Sequence, residues 1–306
     1  MTRRLYTFTI SHFAEKARWA LDYKGADYVE ERLVPGSHVP IVRRMAPGTS
    51  VPVLRDGDRV VQGSSAIIDY ADQQWPELAL TPSDASGRET ALELERWLDR
   101  ELGEAIRCVF YFHALEHRGL VLYFFNQGGP WWGRLLSRLG YRVMASSIRQ
   151  MYAITRDNAA RDEERMHAVF ERVDELLSGR SYLVGDRFSR ADLTLAALAA
   201  PLWRPEQHPT RWPPDEMYPP EVIALGARFA NTRTHEHVMR LYREQRLRGC
   251  SAALKAGPGM QAPSTRGAGR SSAPPGRPAA PAGSRRAAPR RPGARSRRRR
   301  WPGRPG

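Results

Sequence analysis

Residues 51–75, VPVLRDGDRVVQGSSAIIDYADQQW, decide the fold of this chain. Two apolar runs flank the pair Asp56 and Gly57, and such a pair between apolar runs is the strongest short-range signal for a β-hairpin. Two serines then open a segment with apolar residues at helical spacing. Its apolar side consists of Ile67, Ile68, Ala71 and Trp75. The stretch predicts two antiparallel strands followed by a helix.

The upstream residues complete a small α/β unit. RRLYTFTI at 3–10 and DYVEERLV at 27–34 are β-rich runs, and FAEKARWALDYKG at 13–25 lies between them. That middle segment has apolar positions at helical spacing and ends at a glycine, which is typical of a helix C-terminus. The predicted order is therefore β-α-β followed by ββ-α.

The pattern changes to long helices after about residue 88. Predicted helices cover residues 88–117, DEERMHAVFERVDELL at 162–177 and FSRADLTLAALAAPL at 188–202, and residues 221–246 supply one or two more. Ser189 and Asp192 form a capping box at the start of the third of these helices. We expect an α/β domain, a linker, an all-helical domain and a basic tail, at residues 1–80, 81–87, 88–247 and 251–306.

The net charge of +15 is concentrated at one end of the chain. From Ser251 onward there are thirteen arginines, one lysine and no acidic residue, so the rest of the chain is almost neutral. This segment consists mostly of Ala, Pro, Gly, Ser and Arg, which cannot bury enough surface to order the chain. The tail is expected to be disordered, either as a dispensable extension or as a weak binder of polyanions.

The composition excludes several classes of protein. Cys108 and Cys250 are the only cysteines and neither belongs to a metal-ligand pattern, so we expect a reducing cytoplasm and no metal. The N-terminus lacks the apolar run of a signal peptide. The apolar stretch GLVLYFF at 119–125 is too short to cross a bilayer, so a soluble protein is expected.

Taken together, residues 5–247 resemble the glutathione transferases in the order of their elements. The resemblance implies a thioredoxin-like glutathione-binding domain followed by an all-helical domain that binds the second substrate. SHFAEKARWAL at 11–21 is similar to the omega-like arrangement of this family, in which a catalytic Cys precedes a basic helix. The matching position here is Ser11, and the resemblance implies that Phe13, the aromatic residue two positions later, contacts glutathione.

Two further motifs carry the resemblance. TSVPVL at 49–54 is similar to the V-P-x-L motif, whose proline is cis and whose preceding residue pairs by its backbone with the cysteinyl part of glutathione; here these are Val51 and Pro52. QGSSAII at 62–68 resembles E/Q-S-x-A-I. There, Ser64 and the backbone amide of Ser65 match the groups that hold the γ-glutamyl carboxylate, and a helix N-terminus favours an anion.

This sequence departs from the family pattern at two positions. Gly63 occupies the usual Glu or Gln position, so one direct contact to the γ-glutamyl group is absent. His38 falls at the position that often holds a lysine near the glycyl carboxylate, and it would bind that carboxylate only weakly unless protonated.

The resemblance implies transfer of the glutathione thiolate to a small, apolar, electrophilic substrate by a homodimeric detoxification enzyme that needs no metal. Its dimer faces would lie around residues 65–75 and 88–110. Two alternatives stay open. The first is a non-catalytic member of the fold that binds glutathione or hydrophobic ligands as a scaffold. The second is a nucleic-acid or polyanion binder that uses the tail.

Ser11 has two interpretations. Serine is a good helix N-cap, and the helix needs one. As a catalytic group, its hydroxyl would donate to the glutathione sulfur while the helix N-terminus stabilises the thiolate. The two roles are compatible because the cap accepts a hydrogen bond and the sulfur contact donates one. His12, which follows, is expected to be a partly exposed loop residue rather than a base, and Tyr6 is expected to pack in the core.

Other residues also have a structural and a functional interpretation. HALEH at 113–117 matches a zinc-peptidase spacing, but no third ligand motif accompanies it, so solvated histidines are expected. Aromatic residues downstream of position 109 line a pocket for the electrophile or build core. They are Phe110, Tyr111, Tyr123, Phe124, Phe125 and the tryptophans of GPWWGRL at 129–135.

Overall fold

The computed structural model describes residues 2–125, 127 and 131–246, apart from the side chains at positions 131, 134 and 136. Four strands form one mixed sheet in the order β2-β1-β3-β4. The strands are β1 (Arg3–Thr7), β2 (Tyr28–Arg32), β3 (Val53–Asp56) and β4 (Arg59–Gln62). β1 and β2 are parallel, whereas β3 is antiparallel to both β1 and β4.

Three helices cover this sheet: α1 (His12–Tyr23), α2 (His38–Arg43) and α3 (Ser64–Gln74). Successive side chains of a strand point to opposite faces. Leu5 of β1 and its partner Leu54 of β3 pack against α1 and α3, while the neighbouring pair Tyr6 and Val53 packs with Val42 of α2. Apolar side chains therefore pack on both faces of the sheet, and Tyr6 is partly buried against the core cluster that contains Val42.

The predicted hairpin has a two-residue loop. Asp56 pairs with Arg59, so Gly57 and Asp58 form the turn, and Gly57 has a φ of +59°. Primed hairpin turns need positive φ at such a position, which glycine adopts without steric cost. The β-α-β and ββ-α order that the sequence predicts is confirmed.

The remainder of the described chain is helical. The helices are α4 (Ala85–Leu98), α5 (Glu104–Ala114), α6 (Arg118–Phe125), α7 (Trp131–Leu139), α8 (Tyr141–Met151), α9 (Arg156–Leu176), α10 (Arg190–Trp203), α11 (Pro220–Arg228) and α12 (Arg233–Gln245). An α/β domain followed by an all-helical domain is the predicted fold class, and it is confirmed.

Helix α10 lies at the centre of the helical domain, and its residues 190–202 are all buried. The predicted capping box is present, with Ser189 and Asp192 exchanging both hydrogen bonds. Asp192 also accepts from the backbone of Leu183 at 2.8 Å and contacts His237 at 3.0 Å. One carboxylate therefore fixes the start of α10 against two other segments.

The structure corrects several local expectations. One turn of π-helix, Asp99–Gly103, separates α4 from α5, so the helix predicted over residues 88–117 is interrupted. Ser64 and Ser65 open α3 as expected, and Gly63 before them is its N-cap. Helices α2, α6, α7 and α8 had no predicted counterpart. Helices α2 and α6 span only six and eight residues, too few to show a clear helical period, whereas α7 and α8 are amphipathic and their pattern was missed.

Some expectations fall on residues that the structure does not describe. These are the tail 251–306, Cys250, Leu247 at the end of the predicted helical domain, and the first two residues of GPWWGRL. Among the helices that the structure describes, none combines the length and apolar character needed to cross a membrane.

Candidate functional site

A cleft of about 1180 Å³ lies where the N-termini of α1 and α3 face helices α5 and α8. The sheet side contributes the residues that the sequence singled out, and the helical domain contributes an apolar wall. All eight predicted site residues line this one cleft: Ser11, Phe13, His38, Val51, Pro52, Gly63, Ser64 and Ser65. Segments up to about fifty residues apart are thus brought together.

Ser11 is the N-cap of α1. Its Oγ accepts a hydrogen bond from the backbone N–H of Ala14 at 3.2 Å, as the structural interpretation of this residue predicts. The side chain is half-buried at the wall of the cleft. Among the described residues no acceptor takes the hydroxyl proton of Ser11, so that proton is free for a ligand.

The loop that precedes Ser11 is held by a buried arginine. Arg18 donates to the carbonyls of Phe8 at 3.1 Å and Thr9 at 3.0 Å, and the hydroxyl of Thr210 donates to the same Thr9 carbonyl at 2.9 Å. Glu15 and Glu30 pair with the guanidinium of Arg18. Burial alone would lower the pKa of Arg18, but these two carboxylates raise it above its ordinary value. No local pattern in the sequence indicates this support.

Two backbone features shape the opposite wall. The Val51–Pro52 peptide bond is cis, as the resemblance implies, and the Pro52 carbonyl accepts from the backbone N–H of Gly63 at 2.9 Å. Gly63 has a φ of +97°, a conformation that glycine adopts far more easily than any other residue. Glycine at the usual Glu or Gln position therefore matches the backbone conformation there.

Ser64 and Ser65 occupy the first turn of α3, where backbone N–H groups have no partner within the helix. The Ser64 side chain is buried at the cleft wall. The Ser65 hydroxyl accepts from Lys16 at 3.1 Å and donates to Asp99 at 3.1 Å. The hydroxyl of Ser65 is thus already engaged, which leaves its backbone N–H as the group that the resemblance assigns to an anion.

A buried charge network lies behind these serines. The Lys16 ammonium lies 2.7 Å from carboxylate oxygens of both Glu95 and Asp99, and Arg190 donates to Glu95 at 2.5 Å and Asp69 at 2.6 Å. Burial alone would raise the pKa of Glu95, but Lys16 and Arg190 lower it below its ordinary value. The network ties α3 to the helical domain, and a lysine within the apolar face of α1 was its signal in the sequence.

His12 and Phe13 pack against the π-helical turn. His12 is the first residue of α1 and is buried, and its Nε2 donates to the Gly103 carbonyl at 2.9 Å. Burial, with a smaller contribution from the positive charge of Arg107, lowers the pKa of His12 to about 3. The expectation of a partly exposed loop histidine is wrong.

Phe13 lines the cleft with a ring that also packs on the helical domain. Its Cζ lies 2.7 Å from the point where a Cβ on Gly103 would sit, and Leu198 borders the same point. Glycine at position 103 therefore makes room for this ring. The glutathione contact assigned to Phe13 stays a prediction.

His38 already has partners for its ring. Its Nδ1 accepts from the backbone N–H of Gly36 at 3.0 Å, and the ring also hydrogen-bonds the backbone of Thr49. Burial lowers the pKa of His38, which favours the neutral ring near pH 7. A neutral ring whose Nδ1 is engaged is a poor ligand for the glycyl carboxylate, so that contact stays a prediction with little support from the geometry.

The helical domain supplies the apolar side of the cleft. Phe110 and Tyr111 of α5 line it together with Met144, Ile148 and Tyr152. In contrast, Phe124 and Phe125 are buried in a core cluster against which Tyr123 packs. The aromatic residues thus divide between the two roles that the sequence left open.

The HALEH segment gives no metal centre. His117 is exposed, as expected, whereas His113 is half-buried, and burial lowers the pKa of His113. In the part of the chain that the structure describes, no group of three or more His, Cys, Asp or Glu side chains is arranged to hold a metal ion.

Comparison with known families agrees with this architecture. The family model of the glutathione S-transferase N-terminal domain matches residues 5–79, and that of the C-terminal domain matches residues 141–211. The two matches cover the α/β domain and part of the helical domain in the expected order. Both parts of this chain therefore match domains of the glutathione S-transferase family.

Curated relatives match a short stretch. Glutathione S-transferase Z2 of Arabidopsis thaliana is 39% identical over 84 residues, which are 26% of this chain and 38% of the relative. Glutathione S-transferase 1 of Dianthus caryophyllus is 40% identical over 88 residues, 28% of this chain and 40% of the relative. The chain spans about two-fifths of the length of these relatives.

Solved structures share the fold over most of the chain. Glutathione S-transferase I from mais, in complex with an atrazine glutathione conjugate, is 19% identical with a TM-score of 0.50, covering 80% of this chain and 99% of that one. Beta-etherase LigF from Sphingobium sp. strain SYK-6 is 20% identical with a TM-score of 0.50, covering 78% and 99%. At these identities the likeness concerns the fold.

Proposed function

We propose that this protein is a glutathione transferase that joins the glutathione thiolate to a small electrophilic substrate, with Ser11 stabilising the thiolate. One observation carries the proposal: the Ser11 hydroxyl caps α1 as an acceptor, while no described residue accepts its proton at the cleft wall. A thiolate is the acceptor that such a hydroxyl would suit. The match to domains of the glutathione S-transferase family supports glutathione as the co-substrate.

The mechanism follows from the position of Ser11 at the start of α1. The hydroxyl donates to the sulfur, and the positive end of the helix dipole stabilises the negative charge, so the thiol pKa falls. The thiol proton leaves to solvent. The thiolate then attacks an electrophilic carbon, a C–S bond forms, and the leaving group departs with its electron pair. Holding both reactants in one cleft supplies the remaining acceleration.

The other predicted residues would orient the tripeptide. The backbone of Val51 beside Pro52 would pair with the cysteinyl unit. The Ser64 hydroxyl and the Ser65 amide would hold the γ-glutamyl carboxylate at the N-terminus of α3, where unpaired N–H groups and the helix dipole favour an anion. Gly63 adds no side-chain contact, and His38 adds a weak one.

The test is an ultraviolet difference titration of bound glutathione with wild type, Ser11→Ala and Ser11→Thr. The wild type is expected to show the thiolate absorption near neutral pH. In Ser11→Ala the midpoint is expected about one to two pH units higher, the size of one hydrogen bond to a charged group. Ser11→Thr keeps both the cap and the donor and should restore the wild-type midpoint.

A second variant separates thiolate stabilisation from helix capping. Thr232 caps α12 by accepting from the N–H of His235 at 3.1 Å, far along the chain from the cleft-lining residues. Thr232→Ala therefore removes one cap and should leave the thiolate titration unchanged. Identical titration curves for wild type and Ser11→Ala would contradict the role of Ser11.

A non-catalytic, ligand-binding member of the same fold is the second candidate. It is favoured by Gly63, which offers no side chain, and by His38, whose ring is neutral near pH 7 and has its Nδ1 engaged. The two candidates are separated by calorimetric titration with glutathione alongside conjugation assays. Binding of glutathione or apolar ligands without turnover of any electrophile would select the scaffold.

Three further expectations stay proposals. The first is a homodimer that uses the faces around residues 65–75 and 88–110, which light scattering after size exclusion checks. The second is a detoxification role in the cytoplasm. The third is the division of the chain into residues 1–80, 81–87 and 88–247, for which limited proteolysis at the linker is the direct measurement.

A further inference from the structure

Among the described residues that line the cleft, the titratable bases are Arg107 of α5 and the histidines His12 and His38. Both histidines are neutral near pH 7, so Arg107 is the one charged side chain in this lining. No carboxylate in the described part of the chain forms an ion pair with Arg107, and the Nε atom of Arg107 is buried without a hydrogen-bond partner. A partly buried cation without a counter-ion is unfavourable, and an anion from a ligand would remove that cost.

Aromatic side chains fix this guanidinium in place. Its Cζ lies 4.2 Å from the centroid of the Tyr152 ring, and Tyr152 stacks on Tyr111 with 6.2 Å between centroids and 11° between planes. A guanidinium stacked on an aromatic face keeps its N–H donors at its edge, where they can bind a planar oxyanion in bidentate fashion. Tyr111, Phe110 and Ile148 line the same cleft as Arg107 and give it an apolar wall.

From this arrangement we infer that Arg107 binds an anionic group of the second substrate, which is an aromatic electrophile that carries a carboxylate or a similar oxyanion. The inference rests on the proposed function and refines its substrate class. A flat apolar body would lie along the aromatic wall, and its anion would meet the guanidinium. Arg107 lies about one helical turn after Gly103, whose carbonyl binds His12, the residue next to Ser11, so the anion would be bound near the reacting end of the cleft.

The glycyl carboxylate of glutathione is the other carboxylate that could reach a cation in this cleft. The family resemblance places that group toward His38 at the start of α2, whereas Arg107 belongs to α5 in the helical domain. We therefore assign the anion to the electrophilic substrate rather than to glutathione. The experiment must distinguish these two sources.

The binding test uses a dinitrobenzoate with both nitro groups meta to the carboxylate, and the matching dinitrobenzamide. Neither has a leaving group, so calorimetry measures binding without turnover. Wild type is expected to bind the benzoate about tenfold to a hundredfold more tightly than the benzamide, as a charge-assisted hydrogen bond provides. Arg107→Gln should abolish that preference, and Arg107→Lys should retain part of it.

Arg142→Gln is the matched control. Arg142 is an exposed residue of α8 that does not line the cleft, and its substitution changes the net charge by the same amount. It should leave the preference for the benzoate intact. Added salt should weaken benzoate binding to wild type more than benzamide binding, because part of the attraction is between charges.

The kinetic arm uses the chlorinated counterparts of the two probes, which do have a leaving group. Arg107→Gln should raise the KM for the chlorodinitrobenzoate about tenfold or more while changing kcat/KM for the chlorodinitrobenzamide less than threefold. Turnover of both compounds without any Arg107-dependent difference would keep the proposed function and overturn this inference. Arg107-dependent binding of the benzoate without turnover of either chlorinated compound would keep this inference and overturn the proposed function.

Two other outcomes overturn the inference directly. One is a wild type that shows no preference for the benzoate over the benzamide. The other is an Arg107→Gln variant in which glutathione affinity falls while the preference between the two aromatic probes is unchanged, because the anion would then be the tripeptide's own carboxylate.

Discussion

The ammonium group of Lys16 donates to both carboxylate oxygens of Asp99, at 2.8 and 2.7 Å, across the junction of the two domains. Lys16 lies in the first helix of the α/β domain, and Asp99 begins the π-helical turn of the helical domain. The same ammonium donates to the Ser65 hydroxyl at the mouth of α3. One buried cation therefore connects the proposed anion site to the helical domain.

Replacing Lys16 by Met should destabilise the protein by about 3–5 kcal/mol, because the half-buried Asp99 would lose its cation and the buried Glu95 would keep only Arg190. Urea denaturation at pH 7 measures this. Arg96→Met on the exposed side of α4 should cost less than about 0.5 kcal/mol. Equal stability of the two variants would show that the network contributes nothing to the fold.

Gly63→Ala should destabilise the protein by about 1–3 kcal/mol because of backbone conformation alone. A Cβ at this position would meet nothing within 4 Å, so the cost comes from the φ of +97°. Gly119→Ala on α6 is the matched control, because its Cβ also meets nothing within 4 Å and its φ is not positive. That substitution should be neutral or stabilising.

Gly63→Gln tests the absent γ-glutamyl contact. The variant should be about as destabilised as Gly63→Ala, since both carry a Cβ, but it should bind glutathione more tightly than Gly63→Ala in calorimetry. Equal glutathione affinities in the two variants would show that this position makes no side-chain contact with the tripeptide.

The protein should lose stability as the pH falls below about 6.5, in part because of His12. Its folded pKa of about 3 lies below the unfolded value of about 6.5, so the unfolded state binds more protons between these values. The stabilisation is present above pH 6.5 and is lost at about 1.4 kcal/mol per pH unit as the pH falls toward 3. Urea denaturation between pH 7 and pH 5 measures the slope.

His12→Gln isolates this contribution, because the glutamine amide can still donate to the Gly103 carbonyl. Between pH 6.5 and pH 5 the variant should lose about 2 kcal/mol less stability than wild type. His117→Gln, at an exposed position, should leave the wild-type slope unchanged. A slope in His12→Gln equal to that of wild type would contradict the assignment.

Removal of residues 251–306 should leave folding stability and glutathione affinity unchanged, while removal of residues 246–306 should cost about 3 kcal/mol or more. Arg246 is buried and lies 2.7 Å from both Glu15 and Asp22 of α1, so only the longer truncation removes these ion pairs. Thermal unfolding of both truncations measures the difference, and Arg246→Met should resemble the longer one.

The shorter truncation also tests the tail. If the tail binds polyanions, removal of its fourteen positive charges should abolish a salt-sensitive affinity for heparin. Heparin binding that survives in the truncated protein would assign the interaction to the folded part of the chain.

The sequence predicted the features that depend on residues close together in the chain. The hairpin at Gly57, the Ser11 cap on α1 and the capping box of Ser189 and Asp192 each use residues no more than three positions apart. Their chemistry is local, so their residue types suffice to indicate them. The motif residues around the cleft came from the family resemblance, and their roles stay proposals.

The features that the sequence analysis missed involve residues far apart. Lys16 and Asp99 are 83 positions apart, and Arg190 and Glu95 are 95 positions apart. His12 was expected at the surface, yet the π-helical turn covers it. Local patterns report the preferences of one segment, whereas the burial of a charged side chain depends on which other segment packs over it.

The sequence by itself determined the β-α-β and ββ-α order of the first domain apart from the short helix α2, several of the turns and caps, and the change from an α/β part to a helical part. Only the tertiary structure decided which charges are buried in pairs and which one, Arg107, faces the cleft without a counter-ion. The physical reason is that the free energy of a charge depends on its solvation and its neighbours, and both are set when distant helices pack together.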